Sequence, residues 1–114
     1  MRELQARLLG AATDQPGAIS QLATDGSIMQ ADPLAVVYPA NTADVRKTVQ
    51  FAADHIASAS PTPVVARGLG LGQSGGAVAA AIQVVLPAHM NKLLRLDKRT
   101  VTVQPGITFR TLEQ

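Results

Sequence analysis

Five glycines fall within nine residues of the stretch Arg67-Gly68-Leu69-Gly70-Leu71-Gly72-Gln73-Ser74-Gly75-Gly76-Ala77. A loop so poor in Cβ atoms can take positive φ and bring its backbone close to a ligand. Successive N–H groups in such a loop form a concave nest for anions, and phosphate is a common guest. The chemistry to expect is a phosphate-bearing cofactor held by main chain, with Gly68, Leu69, Gly70, Leu71, Gly72, Gln73, Ser74, Gly75 and Gly76 as the cradle. Ser74 can add a hydroxyl donor to a phosphate oxygen, or serve only to stabilise the turn. Arg67 is a further candidate for pairing with phosphate, although a strand-end residue in solvent is the preferred reading. The competing account of the whole stretch is a flexible connection. Apolar chain on both sides, with no run of Ser or Pro, argues against a spacer.

Gly70-Leu71-Gly72-Gln73-Ser74-Gly75 also fits G-x-G-x-x-G, the fingerprint of a Rossmann NAD(P) site, and Asp97 ends a later strand-like run as that fold's acidic residue does. Such a loop opens directly into a helix that crosses the sheet and presents its N-terminus to the phosphates. Here only Ala77-Val78-Ala79-Ala80-Ala81 separates the glycines from β-branched Ile82-Gln83-Val84-Val85-Leu86, leaving room for a turn or two of helix at most. A P-loop is excluded because no Gly-Lys-Ser/Thr follows.

The elements around the loop follow from apolar spacing. Glu3 to Leu9 carries Leu4, Leu8 and Leu9 at helical intervals and stops at Gly10. Asp14-Gln15-Pro16-Gly17 is turn chemistry, and the chain to Asp32 reads as polar and irregular. Leu34 to Pro39 is the first strand, ended by its proline. Asn41 or Thr42 caps a helix to about Ala57, with Val45, Val49, Ala52, Ala53 and Ile56 expected inside and Arg46, Lys47, Gln50 and Asp54 outside. Pro61-Thr62-Pro63 launches the strand Pro63 to Ala66 into the glycine loop, completing a right-handed β-α-β unit with parallel strands. Ile82 to Leu86, Lys92 to Leu96 and Thr100 to Gln104 are expected as an antiparallel extension, with a tight turn at Asp97-Lys98-Arg99. Pro105-Gly106 breaks the last strand, and Ile107 to Gln114 begins a helix that Thr108 can cap. The fold class is α/β (α+β).

At 114 residues the chain holds one domain at most. Hydrophobic residues are 46%, yet with no Trp, one Tyr and two Phe the interior must be filled by Ala and Val. A net charge of +2, without clusters, gives no reason to expect nucleic acid or a membrane surface. The lack of cysteine excludes disulfides, thiolate metal sites and a Cys nucleophile, and is compatible with a cytoplasmic protein. There is no signal-peptide pattern and no apolar run of membrane-spanning length. No Ser/His/Asp set, carboxylate pair or metal-ligand spacing occurs. His55 near a helix C-terminus suits the helix dipole, and His89 reads as a surface-loop residue.

Arg67-Gly68-x-Gly70-x-Gly72-x-Ser74-Gly75-Gly76-Ala77 resembles the FAD pyrophosphate loop of the FAD-linked oxidases, the flavoenzymes with the fold of p-cresol methylhydroxylase and vanillyl-alcohol oxidase. The spelling is most similar to the FAD-binding subunit of glycolate oxidase and to the D-lactate dehydrogenases. Three further stretches resemble the family in order and spacing: Pro39-Ala40-Asn41-Thr42-Ala43-Asp44-Val45, Met90-Asn91-Lys92-Leu93-Leu94-Arg95-Leu96-Asp97, and Val101-Thr102-Val103-Gln104-Pro105-Gly106-Ile107. The resemblance implies an N-terminal fragment: a lead-in over 1–31, then the first lobe of an FAD-binding domain over 32–114, truncated at its C-terminus. It implies FAD on the glycine loop, with Pro39, Pro105 and Gly106 as further candidates for flavin or adenine walls. Leu71 stands where some relatives carry a histidine bonded to flavin and others a threonine, so the implied FAD is non-covalent. The implied activity is oxidation of a 2-hydroxy acid by hydride transfer to FAD. No catalytic residue is assigned in this chain; the substrate would be met through a missing domain, and the fragment alone would not turn over. A peripheral membrane association through partner subunits, or self-association, stays open. Two other readings remain beside this one: a Rossmann NAD(P) domain, and a non-catalytic binding or assembly module with an empty loop.

Overall fold

The computed structural model describes residues 2–54 and 62–113. In chain order it forms α1 (Arg2–Arg7), β1 (Ala11–Thr13), α2 (Pro16–Gln21), β2 (Ala35–Tyr38), α3 (Thr42–Asp54), β3 (Val64–Arg67), β4 (Ile82–Val85), β5 (Leu93–Leu96), β6 (Val101–Val103) and α4 (Phe109–Glu113). His55, Ile56 and Pro61 lie outside the described residues.

Four strands make one sheet in the order β1-β2-β4-β3, and β5 and β6 make a separate antiparallel hairpin. β4 lies between β2 and β3 and is parallel to both, with Ile82 opposite Ala35 on one side and Val64 on the other. The expectation that Ile82 to Leu86 belongs to an antiparallel extension is corrected. After β3 the chain returns to the start of β4 through residues 68–81, long enough to cross the sheet and re-enter it in the same direction. β5 and β6 are antiparallel as expected, and the amide of Asp97 closes the turn on the Thr100 carbonyl at 2.8 Å.

One face of the sheet carries Ala35, Val37, Ile82 and Val64, which pack with Leu4, Leu8, Ala12, Ala52 and Phe51. Fully burying a side chain such as Leu4 or Ile82 is worth about 1.5–3 kcal/mol, so α1 and α3 are held mainly by this layer. The opposite face carries the alternate residues Val36, Gln83 and Arg67, and the later part of the lead-in meets it through the Leu22 and Thr24 carbonyls. The lead-in contains two elements not expected above: β1, where no element was assigned, and α2, on chain read as turn and irregular. β1 pairs with β2, Ala12 opposite Val37, and α2 starts on Pro16, whose fixed φ suits a first helical position.

α3 begins where expected, with Asn41 as its cap: the Asn41 side chain accepts the Asp44 amide at 2.9 Å. Its buried stripe is rotated from the expected one. Asp44, Thr48 and Ala52 are buried, whereas Val49 is 50% exposed and Ala53 is exposed. The reason is Asp44. Its carboxylate accepts the amides of Leu9 at 3.0 Å, Gly10 at 2.8 Å and Ala40 at 2.9 Å, so the buried carboxylate is satisfied by part-buried backbone at the junction of α1, β2 and α3. Val45 and Val49 instead line an apolar groove of about 490 Å³ with Val64, Ala66, Val84 and Pro105.

Candidate cofactor-binding site

β2, β3 and β4 are parallel, so their carboxyl ends lie along one edge of the sheet. Pro39, Gly68 and Leu86 each follow one of those ends, and in open α/β sheets that edge is where ligands bind. Pro105-Gly106 is tied to the same edge, because the Gly106 amide donates to the Met90 carbonyl at 2.8 Å and the Met90 amide to the Leu86 carbonyl at 3.0 Å. The structure therefore brings Pro39, Gly68, Pro105 and Gly106 to one edge of the sheet, and the glycine loop starts from that edge. Gly106 is buried, and a Cβ there would come within 2.7 Å of the Met90 carbonyl oxygen. Pro39 is also fully buried. Pro105 faces the apolar groove beside α3.

The glycine loop itself contains no helix between β3 and β4. A Rossmann site would need one immediately after Gly76, so that reading is set aside. Gly70 and Gly75 have φ of 72° and 76°, a region that costs other residues about 1–2 kcal/mol. Left-handed residues inside an otherwise right-handed or extended loop are the geometry that turns N–H groups toward a common centre. At Gly68, Gly72 and Gly76 no protein atom lies within 4 Å of where a Cβ would stand. The loop thus presents open backbone, which suits a group bound by main chain. Leu69, Leu71, Gly72, Gln73, Ser74 and Gly76 are exposed, and Leu69 shares a second hollow with Thr108, Phe109 and Arg110 at the start of α4.

Arg67 is not the solvent-facing residue that the preferred reading expected. It is only 7% exposed, and its guanidinium donates to the Leu22 carbonyl at 3.2 Å and the Thr24 carbonyl at 2.8 Å. It lies against Gly70, where any Cβ would overlap it. Gln83, fully buried on the central strand, donates to the same Leu22 carbonyl at 3.0 Å. The bonds bind residues 22–31 to the underside of the glycine loop. That segment closes on itself through a Thr24–Gln30 bridge and an Ala31 amide to Ala23 carbonyl bond of 3.0 Å.

Residues 22–31 touch the loop along its length. A Cβ at Gly26 would come within 2.5 Å of the Leu71 carbonyl oxygen, and one at Gly75 within 2.8 Å of the Met29 sulfur. The Asp25 carboxylate accepts the Ser27 amide at 2.8 Å and the Ala77 amide at 3.4 Å. Its pKa is held below the usual aspartate value, first by the Ser27 hydroxyl and amide, with smaller help from the Ala77 amide and the Arg67 charge, against the opposing effect of burial. Sequence reasoning assigned this segment no role. Its available signals were the Asx-turn chemistry of Thr24-Asp25-Gly26-Ser27 and the single polar residue, Gln83, in an apolar strand. His89 is exposed and borders a polar hollow with Gly10, Ala40, Asn91 and Lys92.

A family profile described as the FAD binding domain matches residues 33–114. The chain belongs to that family. The cofactor is FAD, and the α/β architecture is that of the FAD-linked oxidases. The chain is 36% identical over 96 residues to the D-2-hydroxyglutarate dehydrogenase of Escherichia coli (strain K12), covering 82% of this chain and 9% of that protein. To the protein of the same name from Pantoea ananatis it is 36% identical over 88 residues, 75% of this chain and 8% of the relative. It therefore spans less than a tenth of the length of the curated relatives it matches. Among solved structures, an alkyldihydroxyacetonephosphate synthase superposes with a TM-score of 0.81 at 23% identity, over 98% of this chain and 23% of that one. A 4-ethylphenol oxidase from Gulosibacter chungangensis superposes with a TM-score of 0.69 at 22% identity, over 89% of this chain and 20% of that one. These two likenesses concern the fold. Among the described residues no helix is long and apolar enough to cross a membrane.

Proposed function

We propose that the glycine loop, residues 68–76, holds the pyrophosphate of FAD on its backbone for a dehydrogenase that oxidises a 2-hydroxy acid. The observation that carries this reading is the helix-free loop with left-handed Gly70 and Gly75 and open space at Gly68, Gly72 and Gly76. Exposed Ser74 adds a hydroxyl beside those amides. Leu71 has no atom that could attach to flavin or donate to it, so FAD is held non-covalently. FAD, when bound, supplies the hydride acceptor; this chain binds and orients it, and the group that takes the substrate hydroxyl proton lies outside these residues. Residues 32–114 form the first lobe of the FAD-binding domain and residues 1–31 its lead-in. The substrate class rests on the relatives, which are named for D-2-hydroxyglutarate.

The test is a visible spectrum of the purified full-length protein that carries this chain, followed by acid precipitation and addition of 2-hydroxy acids under anaerobic conditions. The expected result is a flavin spectrum, FAD released intact into the supernatant, and bleaching by D-2-hydroxyglutarate, D-lactate or glycolate. Flavin retained in the acid pellet would overturn non-covalent binding. A flavin spectrum that none of the three acids bleaches would overturn the substrate class.

A further inference from the structure

Arg67 carries more than the loop reading asks of it. A buried guanidinium is costly unless its donors are satisfied, and a strand-end position gives no reason to bury one. Here it is aimed under the glycine loop, lies against Gly70 at φ 72°, and is fixed by the carbonyls of Leu22 and Thr24. Gln83 fixes the first of those carbonyls from the neighbouring strand. Asp25 closes the arrangement from the other side by accepting the Ala77 amide at the end of the loop.

We infer that Arg67 is the positioning residue of the cofactor loop: it clamps residues 22–31 beneath the glycines, and this clamp fixes the backbone shape that receives pyrophosphate. The proposal rests on the FAD-loop reading and adds a residue and a segment to it. Two physical consequences follow. The planar fork of arginine spans two carbonyls that a lysine ammonium, with one nitrogen, cannot engage in the same way. The positive charge also sits under the place where a doubly charged group arrives, within the low-dielectric layer between segment and sheet, where such a charge acts more strongly than in water. Asp25 lowers the net field there, so Arg67 governs affinity through loop shape first and charge second.

The experiment compares FAD and riboflavin, which share the isoalloxazine but differ in the pyrophosphate, by titration against the wild-type protein and Arg67→Met, Arg67→Lys and Gly75→Ala. Gly75→Ala is the control for the loop itself, because it strains a left-handed position and meets the Met29 sulfur without touching Arg67. The expected result is a weakening of FAD binding by tenfold or more in Arg67→Met, with riboflavin binding changed by less than threefold and partial recovery in Arg67→Lys. Limited proteolysis supplies a second readout: cleavage within residues 22–31 becomes faster in Arg67→Met, and inorganic pyrophosphate slows it in the wild type but not in the variant. If Gly75→Ala weakens FAD while Arg67→Met does not, the Arg67 proposal fails and the loop reading stands. If Gly75→Ala leaves FAD binding unchanged, the loop reading fails. Equal loss of FAD and riboflavin in Arg67→Met would reduce Arg67 to a general stabiliser and overturn the proposal.

Discussion

Asp44 sits where α1, the end of β2 and the start of α3 meet, and three backbone amides converge on its carboxylate. Burial raises its pKa, but the amides of Ala40, Leu9 and Gly10, with the Lys47 charge, outweigh that effect, and the net shift is downward. A folded value below the unfolded one means that the native state binds fewer protons between the two, so stability rises with pH across that window. The contribution is complete above about pH 3.9, the ordinary aspartate value, and is lost as pH falls through the lowered folded value. Asp44→Ala leaves three part-buried donors without their acceptor and is expected to cost about 3 kcal/mol, the upper end of the usual range for a point substitution, because water can replace part of what is lost. Urea unfolding at pH 7 and pH 3 checks both points: the variant should lose stability at pH 7 and show a shallower acid limb than the wild type. The sequence marks this residue by its place in a first helical turn and in the family-like stretch from Pro39 to Val45, but no local pattern records its bonds to Leu9 and Gly10, 35 and 34 residues away.

Secondary elements were legible wherever the local pattern is strong, even in β5, which is exposed along its whole length. Val64 to Arg67, Ile82 to Val85 and the β5–β6 hairpin are apolar or alternating runs bounded by breakers, and each appears within a residue or two of its expected span. α3 shows the limit of that reasoning. Its period is helical, as expected, yet the choice of stripe went to Asp44 and Thr48 because a satisfied polar cluster there outcompetes burial of Val45 and Val49. This makes an unusual mutational pattern for the helix. Val49→Gln is expected to change stability by less than about 0.5 kcal/mol, as exposed substitutions do. Ala52→Leu inserts three carbons into the layer shared with Leu4, Leu8 and Ile82 and is expected to cost about 1–3 kcal/mol. Thermal melts of the two variants check both expectations; because Ala52 belongs to either stripe, Val49→Gln decides between them, and a loss of several kcal/mol there would restore Val49 to the buried face. Residues 22–31 were illegible for a different reason: their order comes from Arg67 and Gln83, more than forty residues later in the chain, and no local periodicity records such bonds.

At the scale of the whole molecule, a parallel three-strand core collects its loops at one edge, and an unpaired reach of glycine-rich chain replaces the usual crossover helix between β3 and β4. Pyrophosphate sites in helix-based folds draw on a helix N-terminus; on the proposed reading, the donors here come from the loop alone. The glycine spelling made that loop legible in the sequence, and the shortness of the chain before Ile82 made the missing helix legible as well. What the sequence could not convey is that residues 22–31 lie against the loop, bonded to Arg67 through the Leu22 and Thr24 carbonyls. The most direct test of the central claim is FAD affinity and thermal stability measured together for Gly72→Ala. No protein atom lies within 4 Å of the added methyl, and a compatible Gly→Ala change typically leaves a fold unharmed or stabilises it by about 0.4–1 kcal/mol. The account predicts an unchanged or slightly raised melting temperature with FAD binding weakened about tenfold, roughly 1.4 kcal/mol, because the methyl occupies the ligand's side of the loop. Unchanged FAD affinity in a normally folded Gly72→Ala protein would contradict it.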